Sequence, residues 1–192
     1  MKKMKALIEA IKLVSIILLI YCSYFIINTE IEKSQQNITY EIKDKYKEDK
    51  LCLREMLWHE ARGVSYKEKL AIAEVAINRS NSTKYPSTIC EVIKQPKQFS
   101  FLNNKNKSKI ILPEKQEIIG KLDQQAYAEI EEIVDNYFSS GNIPSNKVLP
   151  ENALFYHTKN IKNKPKWSRS KKIKQIAVDK QFVHRYYIAV NK

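Results

Sequence analysis

The sequence predicts an α+β protein: a mostly helical domain that ends in a small antiparallel sheet, with a separate apolar helix at its N-terminus. Three observations carry this. Apolar residues recur at helical spacing from Leu51 to about Tyr137. Strand-like segments occur only beyond Pro150. An uncharged run, residues 13–27, stands behind a lysine flank at the very start. Helices first and a small sheet last is the order of an α+β domain.

Composition bounds the rest. At 192 residues there is room for one domain with a real core and a short appendage. A chain 43% hydrophobic and 29% charged is globular rather than disordered. With three glycines and neither GxGxxG nor GxxxxGK[ST], dinucleotide and P-loop phosphate binding are excluded. Three cysteines and three histidines are too few for a zinc-finger array. The net charge of +13 suits nucleic acid, an anionic lipid surface or an anionic cell wall equally, so it selects none of them.

Lys2, Lys3, Lys5 and Lys12 precede the apolar run. A membrane helix needs about 20 apolar residues, about 17 at least, so this run is short for a span and typical of a signal-peptide core. Asn28 and Thr29 at one interface make a thin span feasible. No small-x-small cleavage site follows, and Tyr21 is too bulky to precede a lipoprotein-type Cys22. Residues 1–27 are therefore expected to be an uncleaved signal-anchor, with the lysines in the cytoplasm and the remainder outside. A cleaved signal peptide, which would give a secreted protein, and a buried helix of a soluble domain are the alternatives. Residues 28–50 are polar, charged and free of Gly and Pro, which reads as a stalk, partly helical. The folded domain is expected over 51–192.

Leu51, Leu53, Met56 and Leu57 lie on one helical face, and extending that stripe lands on Glu60. A carboxylate there is costly to bury unless paired or protonated. A salt bridge to Arg54 or Arg62 is the plain explanation; a functional acid is the other. Gly63 suits a left-handed cap at the helix end. A second helix follows from Ser65 or Tyr66 to about Ser80, with Ser65 and Glu68 as a capping box and Leu70, Ala73, Ala76 and Ile77 as its buried stripe. Pro86 ends helical structure, and Ile89–Ile93 is a short apolar segment holding Cys90. Residues 103–109 read as a surface loop. Pro113 opens a helix running to about Tyr137, with Ile119, Leu122, Ala126, Ile130, Ile133, Val134 and Tyr137 on one face and Gly141 as its stop. Ala153–His157 reads as a strand, and Lys172–Val178 with Phe182–Val190 as a hairpin around Asp179-Lys180.

Several groupings invite chemistry. His59-Glu60 begins an HExxH pattern, but the second ligand position is Gly63, so the zinc reading fails and no metal or other cofactor is expected. Cys52 and Cys90, if outside the cytoplasm, suit a disulfide closing a loop of about 40 residues, for about 3–4 kcal/mol in the chain-entropy model. Two buried free thiols are the alternative, and Cys22 is left over. His157 and His184 sit on strands, where a satisfied structural histidine is commoner than a catalytic one. Trp167 lies in a basic loop, Lys162–Lys174, of a kind that can grip nucleic acid or stack on sugars, although most such loops do neither. The anchor and the disulfide argue against a nucleic-acid partner.

The string Cys52-Leu-Arg-Glu-Met-Leu-Trp-His-Glu60-Ala-Arg-Gly63 resembles the motif around the catalytic glutamate of the spore-cortex-lytic (SleB/CwlJ-type) cell wall hydrolases. Ala71 to Arg79, Tyr85 to Ile93, Gln98-Phe-Ser100, Ala153 to His157, Trp167-Ser-Arg and Phe182 to Tyr186 follow in the family's order, so the resemblance spans about 51–187. It implies a lysozyme-like, mostly helical fold that binds peptidoglycan glycan strands and cuts the β-1,4 bond between N-acetylmuramic acid and N-acetylglucosamine. Glu60 is implied as the catalytic acid and base, and Gln98, Phe99, Ser100, Tyr156 and His157 as groove residues. Members are often lytic transglycosylases. The chemistry agrees: a glycosidase ordinarily needs two carboxylates, whereas closing a 1,6-anhydro ring needs one, since the sugar's own 6-hydroxyl attacks. Three departures stand out: Val64 where the family usually has Glu, Asn152 where it has Gly, and a loop after Gln98-Phe-Ser100 without a recognisable sugar-binding pattern. A catalytically inactive wall-binding scaffold of the same fold is the alternative.

Overall fold

The computed structural model describes residues 2–96, 98–102, 120–140 and 147–190. The chain divides into two compact units, Met1–Lys45 and Tyr46–Lys192. The first consists of helix, the N-terminal part of α1 (Lys2–Ala61). The apolar run expected to enter a membrane is helical, and its side chains from Leu18 to Ile27, among them Leu19, Tyr24 and Phe25, are exposed. Among the described residues, however, no helix is long and apolar enough to cross a membrane. The charged stretch 28–50 has no break in its helix.

The second unit is built around α2 (Tyr66–Ser80), in which every residue from Glu68 to Arg79 is buried. The C-terminal turns of α1, the short α3 (Ile89–Lys94) and α4 (Lys121–Ser140) surround it, and Leu53, Met56, Leu57, Ile72, Ala76, Ile93, Ile130 and Ile133 share one core. Small residues at 71, 73 and 76 let these helices approach closely. Cys52 and Cys90 form a disulfide, with Cα atoms 5.2 Å apart, that ties α1 to α3. Cys22 is free and exposed. Beside the bridge, Asp49 accepts the Cys90 N–H at 2.8 Å and Glu48 pairs with Lys94, so the compact unit takes in the last residues of the expected stalk.

The sheet has the order β1-β3-β2, all antiparallel: β1 (Ala153–Thr158), β2 (Ile173–Gln175) and β3 (His184–Ala189). β1 is thus an edge strand, and its register slips between Ala153 and Phe155. Such an irregularity bends a strand and re-aims its side chains.

Four local expectations need correction. Gly63 is not in the left-handed conformation; α1 is closed by a tight turn in which the Val64 N–H donates to the Ala61 carbonyl at 3.2 Å. Ser65 does cap α2 by accepting from the Glu68 N–H, but the Glu68 side chain does not return the bond, because it is drawn inward by three donors of Val183 and His184, where β3 begins. The hairpin is shorter than expected: β2 ends at Gln175, the Ile176 N–H makes a last bond to the Tyr186 carbonyl at 3.0 Å, and the chain reverses where Asp179 accepts from the Phe182 and Gln181 N–H groups. Leu122, expected on the buried face of α4, is 83% exposed in its first turn. The loop at 103–109, the proposed helix start at Pro113, Ile119 and the stop at Gly141 lie outside the described residues.

Candidate active site

The last turn of α1 carries Glu60 out of the core. Leu53, Met56 and Leu57 on the same helix are fully buried, while Glu60 is half-buried at the edge of a cleft of about 480 Å³. Gln98, Phe99, Tyr156 and His157 line the same cleft, so five of the six residues singled out from the sequence meet in one place. The sixth, Ser100, begins the 3-10 turn Ser100–Leu102 directly after Phe99. Arg79, Tyr85, Phe155, Trp167 and His184 complete much of the wall. Among the described residues lining the cleft, Glu60 is the one carboxylic acid. Of the two arginines considered as its partners, Arg54 pairs with Glu131, and Arg62 lies over the Trp58 ring, 5.4 Å from its centroid.

The end of α2 builds the floor. Asn78 donates to the carbonyls of Pro150 and Ala153, and Arg79 Nε donates to the Leu154 carbonyl at 2.8 Å, which holds the entry to β1. The same guanidinium donates to Gln98 Oε1 at 3.1 Å and lies over Tyr85. One side chain therefore orients two walls. Burial lowers the Arg79 pKa, and the nearby Tyr85 and Tyr156 oppose that shift. Tyr156 is the converse: burial pushes its phenol up, the charge of Glu60 pushes the same way, and Arg79 pulls it back. The phenol thus stays protonated and within electrostatic reach of Glu60.

The two strand histidines differ. His157 Nδ1 lies 2.8 Å from the Thr158 carbonyl, which can only accept, so that nitrogen carries the hydrogen. In the neutral ring Nε2, 2.7 Å from Tyr187 Oη, then accepts from the phenol. Both nitrogens are committed, and the ring, stacked on Tyr187, is a piece of wall. His184 donates its Nδ1–H to buried Glu68 at 2.9 Å, and the same carboxylate accepts the N–H groups of Val183 and His184. Trp167 packs against Phe155 at 5.2 Å and edge-on to Tyr187 at 5.3 Å, which places the basic loop's aromatic ring at the cleft.

Sequence reasoning passed over Arg79, Tyr85 and Phe155 as site residues, although all three stand in the recognised strings. Glu68 carries no signal at all, because a glutamate three residues after a serine reads as a surface cap. The departures at Val64 and Asn152 fall away from the cleft, and the loop after Gln98-Phe-Ser100 lies largely outside the described residues. Val64 packs on the core and offers its carbonyl to Lys69 Nζ at 2.7 Å. Asn152 acts here through its backbone carbonyl, which accepts the Ala189 N–H.

The family model described as Cell Wall Hydrolase matches residues 63–184, well over half of the chain. The chain belongs to that family. It is a cell wall hydrolase, an enzyme that cleaves peptidoglycan, and the SleB/CwlJ-type resemblance of its motifs stands. The match begins three residues beyond Glu60. Among solved structures, this cell wall hydrolase is similar to the catalytic domain of the Bacillus cereus SleB protein, at 21% identity and a TM-score of 0.45, over 73% of this chain and 89% of that one. No curated protein matches the chain at a comparable level.

Proposed function

We propose that this cell wall hydrolase cleaves the β-1,4 bond between N-acetylmuramic acid and N-acetylglucosamine as a lytic transglycosylase, with Glu60 as its acid and base. The observation that carries the reading is the single carboxylic acid among the described cleft residues, half-buried beside the protonated phenol of Tyr156. A retaining or inverting glycosidase needs a second carboxylate facing the first. With one, the balanced course is internal. Protonated Glu60 gives its proton to the glycosidic oxygen as the bond to C1 breaks. The resulting carboxylate then takes the proton of the muramic 6-hydroxyl while that oxygen bonds to C1, closing the 1,6-anhydro ring and restoring the acid. Phe155 and Trp167 supply ring faces for the sugars, and Gln98, held by Arg79, supplies an amide for their hydroxyl and acetamido groups. Residues 13–27 hold the enzyme at a membrane, with the catalytic unit outside the cytoplasm, where the Cys52–Cys90 bridge persists.

Mass spectrometry of the fragments released from purified peptidoglycan tests the mechanism. The wild type should release anhydro-muropeptides and Glu60→Gln none. Reducing-end muropeptides from the wild type would overturn the single-carboxylate course, and full activity of Glu60→Gln would remove Glu60 from it.

A further inference from the structure

A second cavity of about 480 Å³ lies beside the cleft, and its lining is cationic: Lys162, Lys164, Arg169 and Arg185, with Gln175 and Tyr187 between them. It contains no acidic side chain among the described residues. None of the four cations has an ion-pair partner among the described residues, unlike Lys50, Arg54, Lys69 and Lys94 elsewhere in the same unit. Four uncompensated charges around one concavity repel one another and gain most from an anion that enters it.

We propose that this pocket holds a carboxylate of the stem peptide that hangs from the muramic acid lactyl group; the proposal rests on the glycan-cleaving reading above. Its position argues for this occupant. Along one loop, Ile161, Pro165 and Trp167 line the cleft, while Lys162, Lys164 and Arg169 line the pocket. On the sheet, His157 lines the cleft and Tyr187 the pocket, and the two are joined by the 2.7 Å hydrogen bond. Cleft and pocket are therefore two sides of one aromatic wall, made of His157, Tyr187 and Trp167. A glycan strand in the cleft carries a peptide at every muramic residue, and each extended residue of it spans about 3.5 Å, so its first few residues reach across such a wall. The guanidinium groups of Arg169 and Arg185 match a carboxylate in two-point geometry.

The test is fluorescence anisotropy on the full chain at physiological salt. The probes are a labelled stem tetrapeptide with free carboxylates and the same peptide with every carboxylate amidated. The wild type should bind the acid form about tenfold more tightly, the scale of one hydrogen-bonded charge pair. Arg169→Gln/Arg185→Gln should lose that preference, and so should the loop variant Lys162→Gln/Lys164→Gln, which guards against a folding defect at β3. Glu60→Gln should keep it. Equal binding of the two peptides by the wild type, or a preference that survives in both double variants, would overturn the proposal. So would poly(glycerol phosphate) that binds through the same four residues and excludes the peptide, since that assigns the pocket to a phosphate polymer. Failure of the glycan-cleaving reading shows separately, as absence of wild-type fragments, and leaves this binding assay unaffected.

Discussion

Replacing Glu68 by glutamine and by alanine measures how the edge of the cleft is held. The carboxylate is 1% exposed and accepts three bonds: Val183 N at 2.9 Å, His184 N at 2.8 Å and His184 Nδ1 at 2.9 Å. In Glu68→Gln the shape is kept. The amide oxygen can serve the two His184 donors, but the amide nitrogen then faces the Val183 N–H. One buried donor is orphaned, at about 1–3 kcal/mol, and the charge assistance of the other two bonds is lost. A loss of about 3 kcal/mol is expected. Glu68→Ala orphans all three donors and opens a cavity, so about 4–5 kcal/mol is expected, the scale of several unmade buried hydrogen bonds. Against a domain stability of about 5–15 kcal/mol these are large fractions. The glutamine variant should melt about 6–12 °C lower. Denaturant unfolding of the three proteins gives the stabilities, and fragment release from peptidoglycan gives the activity. Because His184 lines the cleft, activity should fall in Glu68→Gln even well below its melting point. A glutamine variant within about 1 kcal/mol of the wild type would refute the reasoning, since the three bonds would then be worth no more than one exposed pair.

Two further outcomes are expected. Cys52→Ser/Cys90→Ser should cost about 4 kcal/mol in denaturant unfolding, from the chain-entropy relation applied to the separation of 38 residues, and the oxidised wild type treated with reductant should fall to the same stability. Tyr66 is pushed up to about 12 by burial and by its hydrogen bond to Glu132, so the folded state keeps this proton after the unfolded chain has released it near pH 10. Stability should therefore decline between about pH 10 and 12, and Tyr66→Phe should remove that part of the decline; an unchanged slope in the variant would count against the assignment.

Much of the framework was legible because it rests on local rules. Apolar spacing marked the helix before Glu60 and the one after Ser65, and Pro150 marked the change to strand. The Ser65 cap needs only one hydroxyl and the N–H three residues on. The Glu68 side chain failed the same rule, because a long-range set of donors outbids a local bond when the residue is buried. The paired cysteines were readable from their supposed compartment, and the bridge joins the segments expected. The hairpin limits were not readable: alternation continues past Gln175, and only the pairing with β3 decides where the ladder stops.

The motifs by themselves determined which residues to examine, because a carboxylate on an apolar helical stripe is anomalous wherever it occurs and the strings around it follow a family's order. They could not determine that Glu60, Gln98, Tyr156 and His157 face a common space. Those residues are up to 97 positions apart in the chain, and their convergence depends on the Arg79 guanidinium reaching both Leu154 and Gln98, on the bend of β1 after Ala153, and on an edge position for that strand. The same holds for the cationic pocket. Lysines alternating with Pro165 and Trp167 look like an ordinary basic loop until Arg185, from β3, closes the other side. Charge counted along a chain says how much repulsion there is; only the tertiary structure decides where it is concentrated, since the Coulomb energy depends on distances through space.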